Sequence, residues 1–189
     1  MSWSAKAFKE LVWPLIEPMF GGGQLDSLEG KDVSMLDMYA GIDAWHINMA
    51  DQCVRGIASR VQQDPCRRMG MSYPYNTFSI RIRRVTNATE LEKRLAALRS
   101  DRGWIYPHLT VHAYLNEHRT IVVSGAIVET RPLYEFYDAN RSRYTERLNQ
   151  DHESWFVGIP FGDLLGAGIK VKRFNSPRAV ARGGGGTRP

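Results

Sequence analysis

The chain has 189 residues, 43% of them hydrophobic and 24% charged, which suits one folded domain with its own core and excludes a disordered or fibrous protein. A net charge of +5 and a pI near 9.4 fit a polyanionic partner. The opening residues hold no long apolar signal region, no stretch is apolar enough to span a membrane, and two cysteines, Cys53 and Cys66, build neither a disulfide framework nor a zinc site; cytoplasmic residence with free thiols is the expectation.

In chain order, Ser4 is placed to cap a first helix in which Phe8, Leu11, Val12, Leu15 and Ile16 recur at helical spacing. Pro14 should kink or split that helix, and Gly21-Gly22-Gly23 should end it. Residues 33–47 read as a strand bent at Gly41, and 54–62 as a second strand forming a hairpin with it. Residues 64–76, with Pro65, Gly70, Pro74, Arg67 and Arg68, read as a loop. A third strand follows, with Phe78, Ile80 and Ile82 on one face and Ser79, Arg81 and Arg83 on the other. Thr89 and Glu92 make a capping box for a helix whose buried stripe is Leu91, Leu95 and Leu98.

Residues 105–115 read as a strand with Leu109, Val111, Ala113 and Leu115 on one face and Tyr106, His108, Thr110, His112 and Tyr114 on the other, a polar aromatic surface suited to stacking bases. Residues 120–129 form a β-branched strand, and Thr130 is placed to cap a helix begun by Pro132 and carrying Leu133, Phe136 and Tyr137. Closing strands fall at 155–161 and 169–174 around a helical turn at Asp163-Leu164-Leu165. The expected architecture is α/β, a central mixed β-sheet flanked by helices in one domain over residues 1–175, with 176–189 a flexible basic tail.

The chemistry concentrates between residues 36 and 84. Asp43 ends one apolar run and Arg60 lies inside the next, the pairing of carboxylate and cation that a metal-dependent phosphodiesterase needs. Asp37 is a second carboxylate candidate, and Gln62 shares the face of Arg60, where its amide could meet phosphate. Ser59 points the other way and reads as structural. Arg81 and Arg83 are candidate phosphate clamps. His108 and His112 are too far apart on a strand to share one metal, and His46 and His152 read as isolated structural residues. The sequence carries no nucleophile elbow, phosphate-binding loop or dinucleotide fingerprint.

The order of helix, three-strand meander and helix resembles the PD-(D/E)XK nuclease superfamily over most of residues 4–174. Asp43, in Gly41-Ile42-Asp43, matches the family's aspartate, and Arg60 matches its lysine with the charge kept, whereas Ala58 stands at the acidic position. The chain is also similar to uncharacterised proteins of bacteria and mobile elements. The resemblance implies a magnesium-dependent DNA endonuclease-like protein in which Asp43, with Asp37 or a glutamate of the first helix (Glu10 or Glu17), holds the metal and Arg60 the scissile phosphate. The alternative is a non-catalytic relative that binds nucleic acid, DNA favoured, or a larger assembly; Ala58 favours it. Oligomeric state is left open.

Overall fold

The structure is a computed structural model and describes residues 2–27, 40–64, 75–85, 88–149 and 152–177. The basic tail beyond 177, Asp37, and Arg67 and Arg68 lie outside the described residues.

The first helix begins at α1 (Trp3–Ala7), where the Ser2 hydroxyl, not that of Ser4, accepts the capping bond from the Ala5 N–H at 3.2 Å. Ser4 clasps the sheet instead, donating to the Val61 carbonyl at 3.1 Å and accepting the Val61 N–H at 3.4 Å. Pro14 acts as expected. It has no N–H and its ring crowds the carbonyl four residues back, so the helix widens into a π-helical turn (Phe8–Val12) before α2 (Trp13–Ile16) resumes. A 3-10 turn (Glu17–Phe20) follows, and Gly21, at φ 72°, ends it.

Six strands then form a mixed sheet in the order β1 (Gln24–Ser27), β2 (Ala44–Asn48), β3 (Cys53–Gln63), β5 (Leu109–Leu115), β6 (Val122–Glu129) and β9 (Val171–Phe174). The hairpin of β2 and β3 is antiparallel, as read from the sequence, although β2 starts only at Ala44, beyond Gly41. β3 and β5 run parallel, in register from Ile57 opposite Leu109 to Gln63 opposite Leu115. A parallel pair requires a crossover. Here the crossover holds β4 (Thr77–Arg84) and helix α3 (Glu90–Arg99), which carries the expected capping box.

The expected three-strand meander is not what forms. With one edge of β3 held by β2 and the other by β5, β4 has no place beside it. β4 instead pairs with β8 (Ser154–Pro160), and β8 with β7 (Arg147–Leu148), in a separate three-stranded sheet. The molecule is therefore layered. The first helix buries Phe8, Val12, Trp13 and Ile16 against Ile57, Val61, Val111 and Leu115 on one face of the large sheet. On the other face, Phe78 and Ile80 of β4, Leu91 and Leu95 of α3, Leu133 and Tyr134 of α4 (Thr130–Ala139), and Phe161 and Leu164 of α5 (Phe161–Gly166) close a second core. β5 lies between the two cores, and so the part of the polar face within the strand is buried, Tyr114 fully and His112 nearly so, whereas His108, just before the strand, is exposed. Glu129, not Thr130, occupies the cap position of α4; the Thr130 hydroxyl is spent on a buried bond to the Thr110 hydroxyl at 2.9 Å.

At the far edge Gly125 lies opposite Phe174, and a Cβ at Gly125 would run into the Phe174 ring. Gly125→Ala is expected to lower unfolding free energy by about 1–3 kcal/mol, the usual cost of overpacking. Urea denaturation checks this. Phe174→Leu in the same background should restore part of the loss, and no loss at all would mean that the edge strand yields freely.

Candidate functional site

The free backbone edge of β4 meets side chains of the large sheet in place of a neighbouring strand. The Tyr114 hydroxyl donates to the Thr77 carbonyl at 2.7 Å, the Ser79 N–H donates to His112 Nδ1 at 3.1 Å, and Arg60 Nη1 donates to the Ser79 carbonyl at 3.1 Å. These bonds satisfy backbone groups that burial would otherwise leave unmet. The His112 imidazole also brings Nδ1 to 3.3 Å from the Thr77 carbonyl. Burial, reinforced by the Arg60 charge, pushes its pKa down to about 3.

From this seam the site grows outward. Arg60 Nη2 reaches Glu90 Oε2 at 3.2 Å, and Arg94 Nη1 reaches Glu90 Oε1 at 2.6 Å. Glu90 and Arg94 stand one helical turn apart on α3, so they share a face. Arg94, only 2% exposed, also donates to the Tyr134 hydroxyl at 2.9 Å and to the Gly41 carbonyl at 3.1 Å. Gly41 can present that carbonyl because it lies in the left-handed region at φ 64°, and a Cβ there would come within 3.1 Å of Arg94 Nη2. Two residues on, Asp43 extends the ladder at the start of β2: its N–H bonds the Ile57 carbonyl at 2.8 Å and its carboxylate accepts the Ser59 N–H at 2.5 Å. Burial alone would raise the Glu90 carboxyl, yet the Arg94 and Arg60 charges override it and hold the pKa down at about 2.

These groups line a cleft of about 290 Å³ whose charged walls are Asp43, Arg60, Arg81, Arg84, Glu90, Lys93 and Arg94. Asp43, Arg60 and Arg81, all singled out in the sequence, thus come together, and Ser59 joins the lining through the same wall. Two others do not. Gln62 hydrogen-bonds the Tyr114 hydroxyl, away from the cleft lining. Arg83 pairs with Glu146 at 3.4 Å and stacks on Trp155 at 4.2 Å. A β-bulge between Arg81 and Arg83 shifts the alternation of β4, and Arg84 takes the cleft position that Arg83 would have held. Glu90, Arg94 and Lys93 were missed as site residues. Their one signal was the Glu90-to-Arg94 spacing on the face next to the Leu91 and Leu95 stripe.

Among the described residues, no group of three or more His, Cys, Asp or Glu is placed to hold a metal ion. Both Glu90 oxygens are taken by guanidiniums, and Asp43 already accepts an amide. A magnesium ion asks for oxygen ligands in near-octahedral array, and the described carboxylates of the cleft are Asp43 and Glu90. His108, just before β5, accepts the Gly56 N–H at 2.9 Å, and His46 of β2 is buried against Trp13 and Phe20 with Nε2 bonded to the Gly22 carbonyl at 2.9 Å. Glu10, paired with Lys6 at 3.9 Å, and Glu17 stand on the first helical run and do not line the cleft. No protein family, curated protein or solved structure matches the chain.

The two depressed pKa values have the same sign. The unfolded chain binds the extra protons, so stability is full above the ordinary values and is lost as pH falls, from 6.5 toward 3 for His112 and from 4.5 toward 2 for Glu90. Glu90→Gln should cost about 3 kcal/mol at pH 7, because it leaves the buried Arg94 charge without its carboxylate. That deficit should shrink as pH falls below 4.5, where the parent itself loses the contribution. Urea titrations of both proteins at pH 7 and pH 3 provide the comparison.

Proposed function

We propose that the protein binds nucleic acid through phosphate groups held in the cleft between β3, β4 and the start of α3. The observation that carries this reading is that, among the described residues, five cationic side chains and two carboxylates line one cleft. Arginine's planar fork matches phosphate oxygens in pairs, and four of the five cations are arginines. The Glu90 carboxylate holds Arg60 and Arg94 in place before any ligand arrives, so less side-chain freedom is lost on binding. This is the non-catalytic reading, with DNA as the favoured polymer. A relation to the PD-(D/E)XK nucleases belongs to the proposal on the Asp43-to-Arg60 spacing.

A second reading, phosphodiester hydrolysis at the same place, is favoured by one observation: the Asp43 carboxylate lines the cleft beside Arg60. Single-stranded, double-stranded and branched DNA, and RNA, offered with magnesium to highly purified parent and Asp43→Asn protein, separate the two. Cleavage by the parent that is lost in the variant supports hydrolysis. Binding without cleavage supports the first reading.

The binding reading predicts which arginines matter. Replacing Arg81 and Arg84 by Ala should weaken oligonucleotide binding across sequences alike and reduce the slope of log K against log salt by about 1.4 for a single strand, two phosphate contacts' worth. Arg83→Ala should change neither, because Arg83 is committed to Glu146 and Trp155. Fluorescence anisotropy over a salt series reads both quantities, and equal losses from Arg83→Ala would move the binding surface out of the cleft.

A further inference from the structure

A second cavity, of about 270 Å³, opens on the face of the large sheet that carries the first helical run. That run covers the sheet only as far as Phe20, because Gly21, in the left-handed region at φ 72°, turns the chain away toward β1. Beyond it, Leu109 of β5 and Ile127 of β6 form an apolar floor, and Met19 and Phe20 form one wall. The wall is held in place, since the Phe20 ring stacks on Trp13 at 5.8 Å and lies 5.0 Å from His46.

Among the described residues, four charged side chains line this cavity: Arg55, Glu129, Lys170 and Lys172. Strand register says where each stands. Arg55 comes two residues before buried Ile57, the strand period that keeps both on one face of β3, and Lys172 lies opposite Ile127 on β9. Glu129 follows Val128 as Lys170 precedes its partner Val171, so these two come level and their charges offset one another. Arg55 and Lys172 are left at opposite sides of the floor. In the order β3-β5-β6-β9 their strands are three spacings apart, about 14 Å between backbones, and both side chains border the space between. The Lys172 ammonium donates to the Met19 carbonyl at 3.3 Å, which ties it to the wall and leaves it two further donors. Edge strands carry lysines to deter pairing, but that role requires no apolar floor beside them and no arginine across it.

A cation, an apolar floor and a second cation, in that order, are the complement of a molecule with two anionic ends and an apolar middle. We infer that this cavity binds an aliphatic dicarboxylate, with one carboxylate at Arg55, the chain on Leu109 and Ile127, and the other carboxylate at Lys172. The site is separate from the cleft between β3, β4 and α3, and its failure leaves the nucleic-acid reading untouched.

Calorimetric titration with suberate, octanoate, succinate and octane-1,8-diol tests the inference. Suberate should bind about tenfold or more tightly than octanoate, the gain from one further charge-assisted contact. Succinate, too short to span the floor, and the uncharged diol should bind more weakly still. Arg55→Gln and Lys172→Gln should each bring suberate down to the level of octanoate with the thermal midpoint near the parent value, and Arg55→Lys, which keeps the charge, should keep most of the preference. Octanoate or succinate binding as tightly as suberate would overturn the two-ended site. Suberate affinity unchanged in both glutamine variants would place binding elsewhere and overturn the assignment, and so would no binding of any of the four.

Discussion

The exposed edge of β4 is the constraint on which the rest depends. A strand displaced from the main sheet carries a row of backbone donors and acceptors into the interior, and these must find partners. Side chains of the large sheet supply them: Arg60 from β3, and His112 and Tyr114 from β5. The seam joins the two sheets, and it also dictates protonation. A charged imidazole has no acceptor at Nδ1 for the Ser79 amide, so that bond requires the neutral ring, which burial and the Arg60 charge favour. Arg60 is then fixed at its inner end by Ser79 and at its outer end by Glu90.

Glu90 carries the arrangement from the seam into the cleft. Its two oxygens bind guanidiniums from two elements, and Arg94 passes the link to the turn before β2 through Gly41 and to α4 through Tyr134. A charged group as covered as Arg94 would be costly alone. Here it has a carboxylate, a hydroxyl and a carbonyl, and its protonated form is strongly favoured by Tyr134 and Glu90 despite burial. Rigidity at the base of the cleft, with exposed Arg84 at its rim, is the division expected of a site that holds charge in place and admits a ligand from solvent.

Local order was legible in the sequence wherever a short-range rule governed it. The capping box of Thr89 and Glu92, the break at Pro14, the hairpin of β2 and β3, and the two faces of β5 all follow from spacing within a few residues. What was not legible depends on partners far along the chain. β4 reads like the third strand of a meander because alternation says nothing about which strand lies alongside, and its partner β8 begins some seventy residues later. The bulge that trades Arg83 for Arg84 arises from that pairing and leaves no mark in the alternation of Phe78, Ile80 and Ile82. Asp43 and Arg60 were found because both lie on a hairpin; Glu90 was passed over because it reaches Arg60 only once α3 has folded back over β3.

Every described residue that lines the cleft lies between Ala40 and Arg94, a span of chain that ends before the parallel partner strand β5 begins. Ser79, within the same span, braces Arg60, but other supports come afterwards: His112, Tyr134, and Phe156, whose ring lies 4.9 Å under the Arg60 guanidinium. On the binding reading, the residues that would meet a ligand are thus gathered in one stretch, and much of their support comes from the stretch that follows. If the binding reading holds, changes at the lining would alter which anion is accepted, while changes in the later stretch would act through the mould that holds the lining in place. A single exchanged stretch would thus carry the whole described lining with it, together with Ile57, Val61, Phe78 and Ile80, core residues that any such exchange must keep.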